Sequence, residues 1–179
     1  MLKGRAFKFG DNISTDHIVP GRLLHLRSNL PELAKHVLED ADPTFAQRVK
    51  KGDFVVGGKN FGLGSSREHA PLVIKMSGVS AILAKSVARI FFRNAINVGL
   101  PVLICDTESI SDGDELEVDL ELGKVKNLTS GAELNFSRMP EIMLHILNEG
   151  GLIDYIKKHK GFTVSPGSDL GIDSQQTGV

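Results

Sequence analysis

Short apolar runs alternate with mixed segments that end in glycine or proline over the first 105 residues of this chain. The run Phe54-Val55-Val56 is continuous and bounded by Gly52-Asp53 and Gly57-Gly58, the mark of a buried strand. A helix follows from about Leu72 to Met76, closed by Gly78; Pro71 requires it to begin close to Arg67–Ala70. Val79 to Ala84 reads as a strand. Ser86 is placed to cap a helix from Val87 to Asn97, in which Ile90, Phe91 and Ile96 mix with Arg89 and Arg93. Gly99 and Pro101 stop that helix, and Pro101 to Cys105 is a third apolar run. Strand, helix, strand, helix, strand in this order predicts parallel pairing through crossovers. Upstream, residues 4–9 fit a first strand. Glu32 to Glu39 fits a helix with Pro31 near its first turn, and Phe45 to Lys50 a further short one.

From Asp106 the pattern changes. Glu115 to Leu120 alternates charged and apolar residues, as a half-buried strand does. Gly123 and Gly131 mark turns into Val125–Leu128 and Leu134–Phe136, which predicts antiparallel rim strands. Pro140–Leu147 and Leu152–His159 read as helices separated by Gly150-Gly151. The expected fold class is α/β, with a parallel core sheet, antiparallel rim strands and flanking helices. Residues 1–163 form the expected domain. Residues 164–179, rich in Ser, Gly, Gln and Asp, offer little to bury and are expected to be a mobile tail.

Composition narrows the function. The chain has 179 residues, enough for one domain, and a formal charge of −1, so no basic field recruits nucleic acid. Trp is absent and Tyr occurs once, which leaves few stacking platforms for bases. No run approaches the ~18 apolar residues of a membrane span, and Met1-Leu2-Lys3-Gly4-Arg5 lacks the apolar stretch of a secretory signal; the expected location is cytoplasmic. The single cysteine, Cys105, excludes an internal disulfide and any multi-cysteine metal site in this chain. Its place at the end of an apolar run reads as a buried small residue.

The candidate chemistry sits in Lys59–Ala70, KNFGLGSSREHA. A glycine-rich turn between strand and helix directs backbone N–H groups outward, where an anion can bind. The segment lacks the third glycine of a dinucleotide fingerprint, the Gly-Lys-Ser/Thr of a phosphate loop and the G-x-S-x-G of a hydrolase elbow. Two readings remain. Ser65 and Ser66 could cap the following helix. Alternatively, one serine acts as a base, which requires fixed positive potential from outward N–H groups, a helix N-terminus and a guanidinium, because a serine alkoxide is unstable in water. Arg67 would then be the fork for a substrate carboxylate. Elsewhere, Asp11, Asp16 and His17 crowd one loop, where turn bonding and capping explain them better than a metal does. Asp16 also fits a carboxylate that orients a basic group of the site. Arg22–Asn29 reads either as a partly buried connection with solvated cations or as a loop meeting the variable end of a substrate. Arg89 and Arg93, four apart on one helix face, read as structural ion partners more readily than as ligands.

Four segments in this order resemble the small subunit, or swivelling domain, of the aconitase-superfamily isomerases. They are Ser14-Thr15-Asp16-His17-Ile18, Gly57–Gly62, Gly64-Ser65-Ser66-Arg67-Glu68-His69-Ala70 and Ala84–Gly99. The resemblance covers roughly residues 1–160 and is strongest to the 3-isopropylmalate dehydratase type, with homoaconitase and related hydratase types next. It implies a hydro-lyase subunit, active only with a large subunit in a heterodimer or heterotetramer, that isomerises a small hydroxy di- or tricarboxylic acid; for the isopropylmalate type this is a step of leucine biosynthesis. It implies that Ser65 takes the proton from carbon. Arg67 would bind a substrate carboxylate, with Ser66 and Gly64 lining the pocket, and Thr15, Asp16 and His17 would support the serine. The [4Fe–4S] cluster would lie in the large subunit, with no metal or cofactor held by this chain. The segment His25-Leu26-Arg27-Ser28 resembles the homoaconitase type, in which an arginine meets an extra carboxylate, so Arg27 is a further substrate-binding candidate and the choice of hydroxy acid stays open. The competing class is a non-catalytic anion-binding module on the same fold.

Overall fold

In the computed structural model, residues 1–161 are described; the expected tail lies outside them. The frame is one seven-stranded sheet in the order β4-β3-β2-β1-β5-β6-β7. β1 (Leu2–Lys8), β2 (Phe54–Val56), β3 (Ala81–Ala84) and β4 (Val102–Ile104) pair in parallel. β5 (Glu115–Asp119), β6 (Lys124–Asn127) and β7 (Glu133–Asn135) continue the sheet antiparallel. The apolar runs form strands because both faces are covered, as parallel sheets require. Phe54, Val55 and Val56 are all fully buried, and each contributes about 1.5–3 kcal/mol by leaving water.

Side chains alternate between two cores with the period of the pleat. Phe7, Val55, Ile82 and Val102 face the helices. Ala6, Phe54, Ala81 and Leu103 point the other way, onto Leu116, Val118 and Val125 of the antiparallel strands. One core therefore joins both halves of the sheet, which curls over it. β1 is the seam: Ala6–Lys8 pair with β2, whereas Leu2–Arg5 pair with β5.

On the helical side, α1 (Thr15–Ile18), a 3-10 segment (Gly21–Ser28), α2 (Leu30–Ala34) and α3 (Phe45–Arg48) lie between β1 and β2. α4 (His69–Met76) links β2 to β3, and α5 (Arg89–Asn97) links β3 to β4. α6 (Glu141–Asn148) and α7 (Leu152–His159) pack on α5 through Ile96, Ile146, Leu147 and Tyr155.

The expected helix over Glu32–Glu39 ends early. Leu38 adopts φ +58°, a left-handed conformation that stops a helix, although Leu33, Val37 and Leu38 are fully buried at helix-like spacing. Ser86 does not cap α5. The residue before that helix is Ala88, which makes no side-chain cap, and Ser86 Oγ instead accepts from Asn60 N at 2.8 Å.

Candidate functional site

The parallel strands end on one edge, and the segments that leave it are held together like a continuation of the sheet. Gly58 N donates to Gly10 O (3.1 Å), Asn12 N to Lys59 O (2.8 Å), Gly62 N to Ile13 O (2.7 Å) and Thr15 N to Leu63 O (2.9 Å). On the other flank Phe61 N donates to Ser86 O (3.0 Å) and Ala88 N to Phe61 O (2.9 Å). Parallel bridges Ser14–Leu63 and Phe61–Val87 complete the lattice. Loops after β1, β2 and β3 thus converge outside the carboxyl ends of the strands, where α/β sheets place ligands.

The glycines make this convergence possible. Gly62 has φ +76°, and a Cβ there would lie 2.3 Å from Cγ of Phe91. Phe61 and Phe91 meet edge to face at 5.5 Å, so the loop after β2 is pressed onto α5 with no room for a side chain at Gly62. Gly64 has φ +102° and lies against Thr15.

A cavity of about 350 Å³ opens here, lined by Thr15, Gly62, Gly64, Ser65, Ser66, Arg67, Ala88, Arg89, Ile90, Phe91 and Asn94. Ser65 and Ser66 are exposed to it. The Ser65 carbonyl is fixed from below by Oγ1 of buried Thr15 at 2.8 Å. Neither serine caps α4: the residue at its N-cap is Glu68, which makes no side-chain cap, and Arg67 N bonds back to Ser65 O at 2.9 Å. The helix whose first turn lines the cavity is α5, so the positive end of that helix, rather than of α4, faces the serines.

Arg67 is only 15% exposed and reaches the cavity tethered. Nη1 bonds Val19 O and pairs with Asp16 Oδ1, both at 2.5 Å. Asp16, 67% exposed, anchors the guanidinium beside the serines.

Of the Asp11, Asp16 and His17 cluster, Asp16 turns away, while Asp11 and His17 line one groove apart from the serines. Asp11 Oδ1 accepts from Lys59 N (2.7 Å) and Asp16 turns to Arg67. His17 Nδ1 lies 2.9 Å from Ser14 N, completing a capping box for α1, and the ring lines a different groove beside Asp40 and Asp42. Of the three supporting candidates, Thr15 and Asp16 therefore meet the site and His17 does not. Arg27 is exposed on the 3-10 segment, outside the cavity lining. Arg22 of the same segment is engaged by Glu39 (2.7 Å) and Asp40 (2.8 Å). The expected ion pairs of Arg89 and Arg93 do not form: both guanidinia are exposed without an acidic partner among the described residues. The α5 wall, Ala88 to Asn94, joins the site although sequence favours an ion-pair role for Arg89; the signal for it is the β3–α5 junction on the carboxyl edge.

No group of three or more His, Cys, Asp and Glu side chains among the described residues could hold a metal ion. Cys105 is buried, and burial first, then Asp106, pushes its thiol up to about 11, so it is not poised to give a thiolate ligand. No helix among the described residues is long and apolar enough to cross a membrane.

Residues 25–107 match the aconitase C-terminal domain. Over 158 residues the chain is 69% identical to a 3-isopropylmalate dehydratase small subunit of Archaeoglobus fulgidus, covering 88% of this chain and 96% of that protein. It is 54% identical to an isopropylmalate/citramalate isomerase small subunit of Methanocaldococcus jannaschii, covering 88% of this chain and 95% of that one. The crystal structure of 3-isopropylmalate dehydratase from Methanocaldococcus jannaschii superposes with a TM-score of 0.85 at 45% identity, covering 89% of this chain and 95% of that one. The curled sheet of parallel and antiparallel strands, the serine loop on its carboxyl edge and identity of this extent agree, and the chain belongs to the family of 3-isopropylmalate dehydratase small subunits within the aconitase superfamily.

Proposed function

We propose that this chain is the small subunit of a heteromeric hydro-lyase that interconverts 2-isopropylmalate and 3-isopropylmalate by dehydration and rehydration. The observation that carries the reading is the exposed Ser65 in a cavity shared with the tethered Arg67. In this reading Ser65 Oγ, as the alkoxide, takes the proton from the carbon next to the one that loses hydroxide, and returns it when water adds back the other way round. The first turn of α5 and Arg67 favour negative charge on that oxygen. Arg67 binds one substrate carboxylate while Ser66 and Gly64 shape the floor. Thr15 positions the Ser65 backbone, and Asp16 positions Arg67.

The leaving hydroxide needs an acceptor that this chain's residues do not fit, since its one cysteine is buried and protonated. We place that acceptor, a [4Fe–4S] cluster acting as a Lewis acid, in the large subunit. The cavity of this chain is then half of a site that the partner completes. Arg27 lies outside that half and would meet only an acid with a third carboxylate, as in a homoaconitase-type reaction.

The test is reconstitution with the cluster-bearing large subunit. Ser65→Ala should assemble normally and lose at least about 10³-fold in kcat, the scale of losing a reacting group. Full turnover by the assembled variant would refute the assignment.

A further inference from the structure

We propose that Arg89 is a substrate-contacting residue that seats the second carboxylate of the hydroxy acid and so selects dicarboxylates. This rests on the function proposed above.

The argument is a charge count. Among the described residues, the ionisable side chains that line the cavity are those of Arg67 and Arg89. Arg67 arrives already paired with Asp16 and bonded to Val19 O through Nη1, so part of its fork is engaged before a carboxylate binds. A dicarboxylate brings two negative charges, and the Ser65 alkoxide carries a third until it takes up the proton. With the Arg67 fork already engaged by Asp16 and Val19 O, a second carboxylate beside the Ser65 alkoxide needs a further counter-charge in this half of the site. Arg89 removes that deficit. It opens α5, lines the cavity, and has no acidic partner among the described residues. Asn94, further along the same helix, also lines the cavity and adds a neutral amide there. Arg93 provides the internal comparison: it is on the same helix, exposed and unpaired among the described residues, yet outside the cavity lining.

The experiment uses the reconstituted heteromer. Arg89→Gln should raise KM about 10–100-fold, the loss of one charge-assisted hydrogen-bonded contact, with kcat within about threefold and assembly intact. Arg89→Lys, which keeps the charge and loses the fork, should recover part of the loss. Arg93→Gln should match the parent. A C4-dicarboxylate competitive inhibitor should lose affinity about tenfold or more in Arg89→Gln, and its monoamide should not. An unchanged KM in Arg89→Gln, with Ser65→Ala dead, overturns this assignment and leaves the function standing; both variants active overturns the function itself. Failure of Arg89→Gln to assemble, or equal effects in Arg93→Gln, makes the arginines a docking feature and also overturns the assignment.

Discussion

Substituting Gly62 by alanine tests how the serine loop is held. The new Cβ would stand 2.3 Å from Cγ and 2.6 Å from Cβ of Phe91, at a residue with φ +76°. The left-handed backbone costs an L residue about 1–2 kcal/mol. Phe91, 3% exposed, has to move from its edge-to-face contact with Phe61, and such overpacking adds about 1–3 kcal/mol. The total, about 2–5 kcal/mol, corresponds to a Tm lower by roughly 5–15 °C for a domain of this size. Phe91→Ala alone should cost about 3–5 kcal/mol through the cavity it leaves. With Phe91 truncated, Gly62→Ala should cost only its backbone share, so the double variant should be more stable than the sum predicts by at least 1 kcal/mol or so. Urea unfolding followed by far-UV circular dichroism suits a chain with no tryptophan. Additive effects within about 0.5 kcal/mol, or a Gly62→Ala cost below 1 kcal/mol, would refute the claim that steric contact between Gly62 and Phe91 sets the loop.

Two further outcomes are expected. Arg27→Ala should leave isopropylmalate kinetics within about twofold in the heteromer, because that side chain lies outside the cavity lining; a larger loss in kcat/KM would bring the 3-10 segment into the two-carboxylate site. Cys105 should resist alkylation in the native chain at pH 8 and react at once in urea. Since its folded pKa is raised from 9.0 to about 11, the unfolded thiol ionises first, and stability should fall as pH rises from about 9 to 11. A Cys105→Ala variant that shows the same fall would assign it to other groups.

The parts of the fold set by local pattern were legible. β2 spans Phe54–Val56 and α7 spans Leu152–His159, as the apolar run and the amphipathic spacing predict, and Gly78 ends α4 with φ +106°. Tertiary context decided the rest. Val37 and Leu38 keep a helical rhythm because both are buried, but Leu38 takes a left-handed turn to reach the core. Ser86 looks like a cap and is instead drawn to the Asn60 backbone, a partner 26 residues away. Ser65 and Arg67 could be picked out from residue types and spacing. Arg89 stood out only as a cation that favoured an ion-pair reading over a ligand one, because the cavity it borders and its lack of an acid among the described residues are not written in neighbouring residues.

β1 is completed long after it is made. Leu2–Arg5 find their hydrogen-bonding partners at Glu115–Val118, more than 100 positions downstream. Contacts so distant along the chain raise the entropic barrier to folding and slow it. On the ribosome Leu2–Arg5 therefore wait as an unpaired edge until Glu115–Val118 have emerged, the condition under which chains stick to one another. A bulky segment fused directly ahead of β1 would lie against this late-closing seam and should slow its closure.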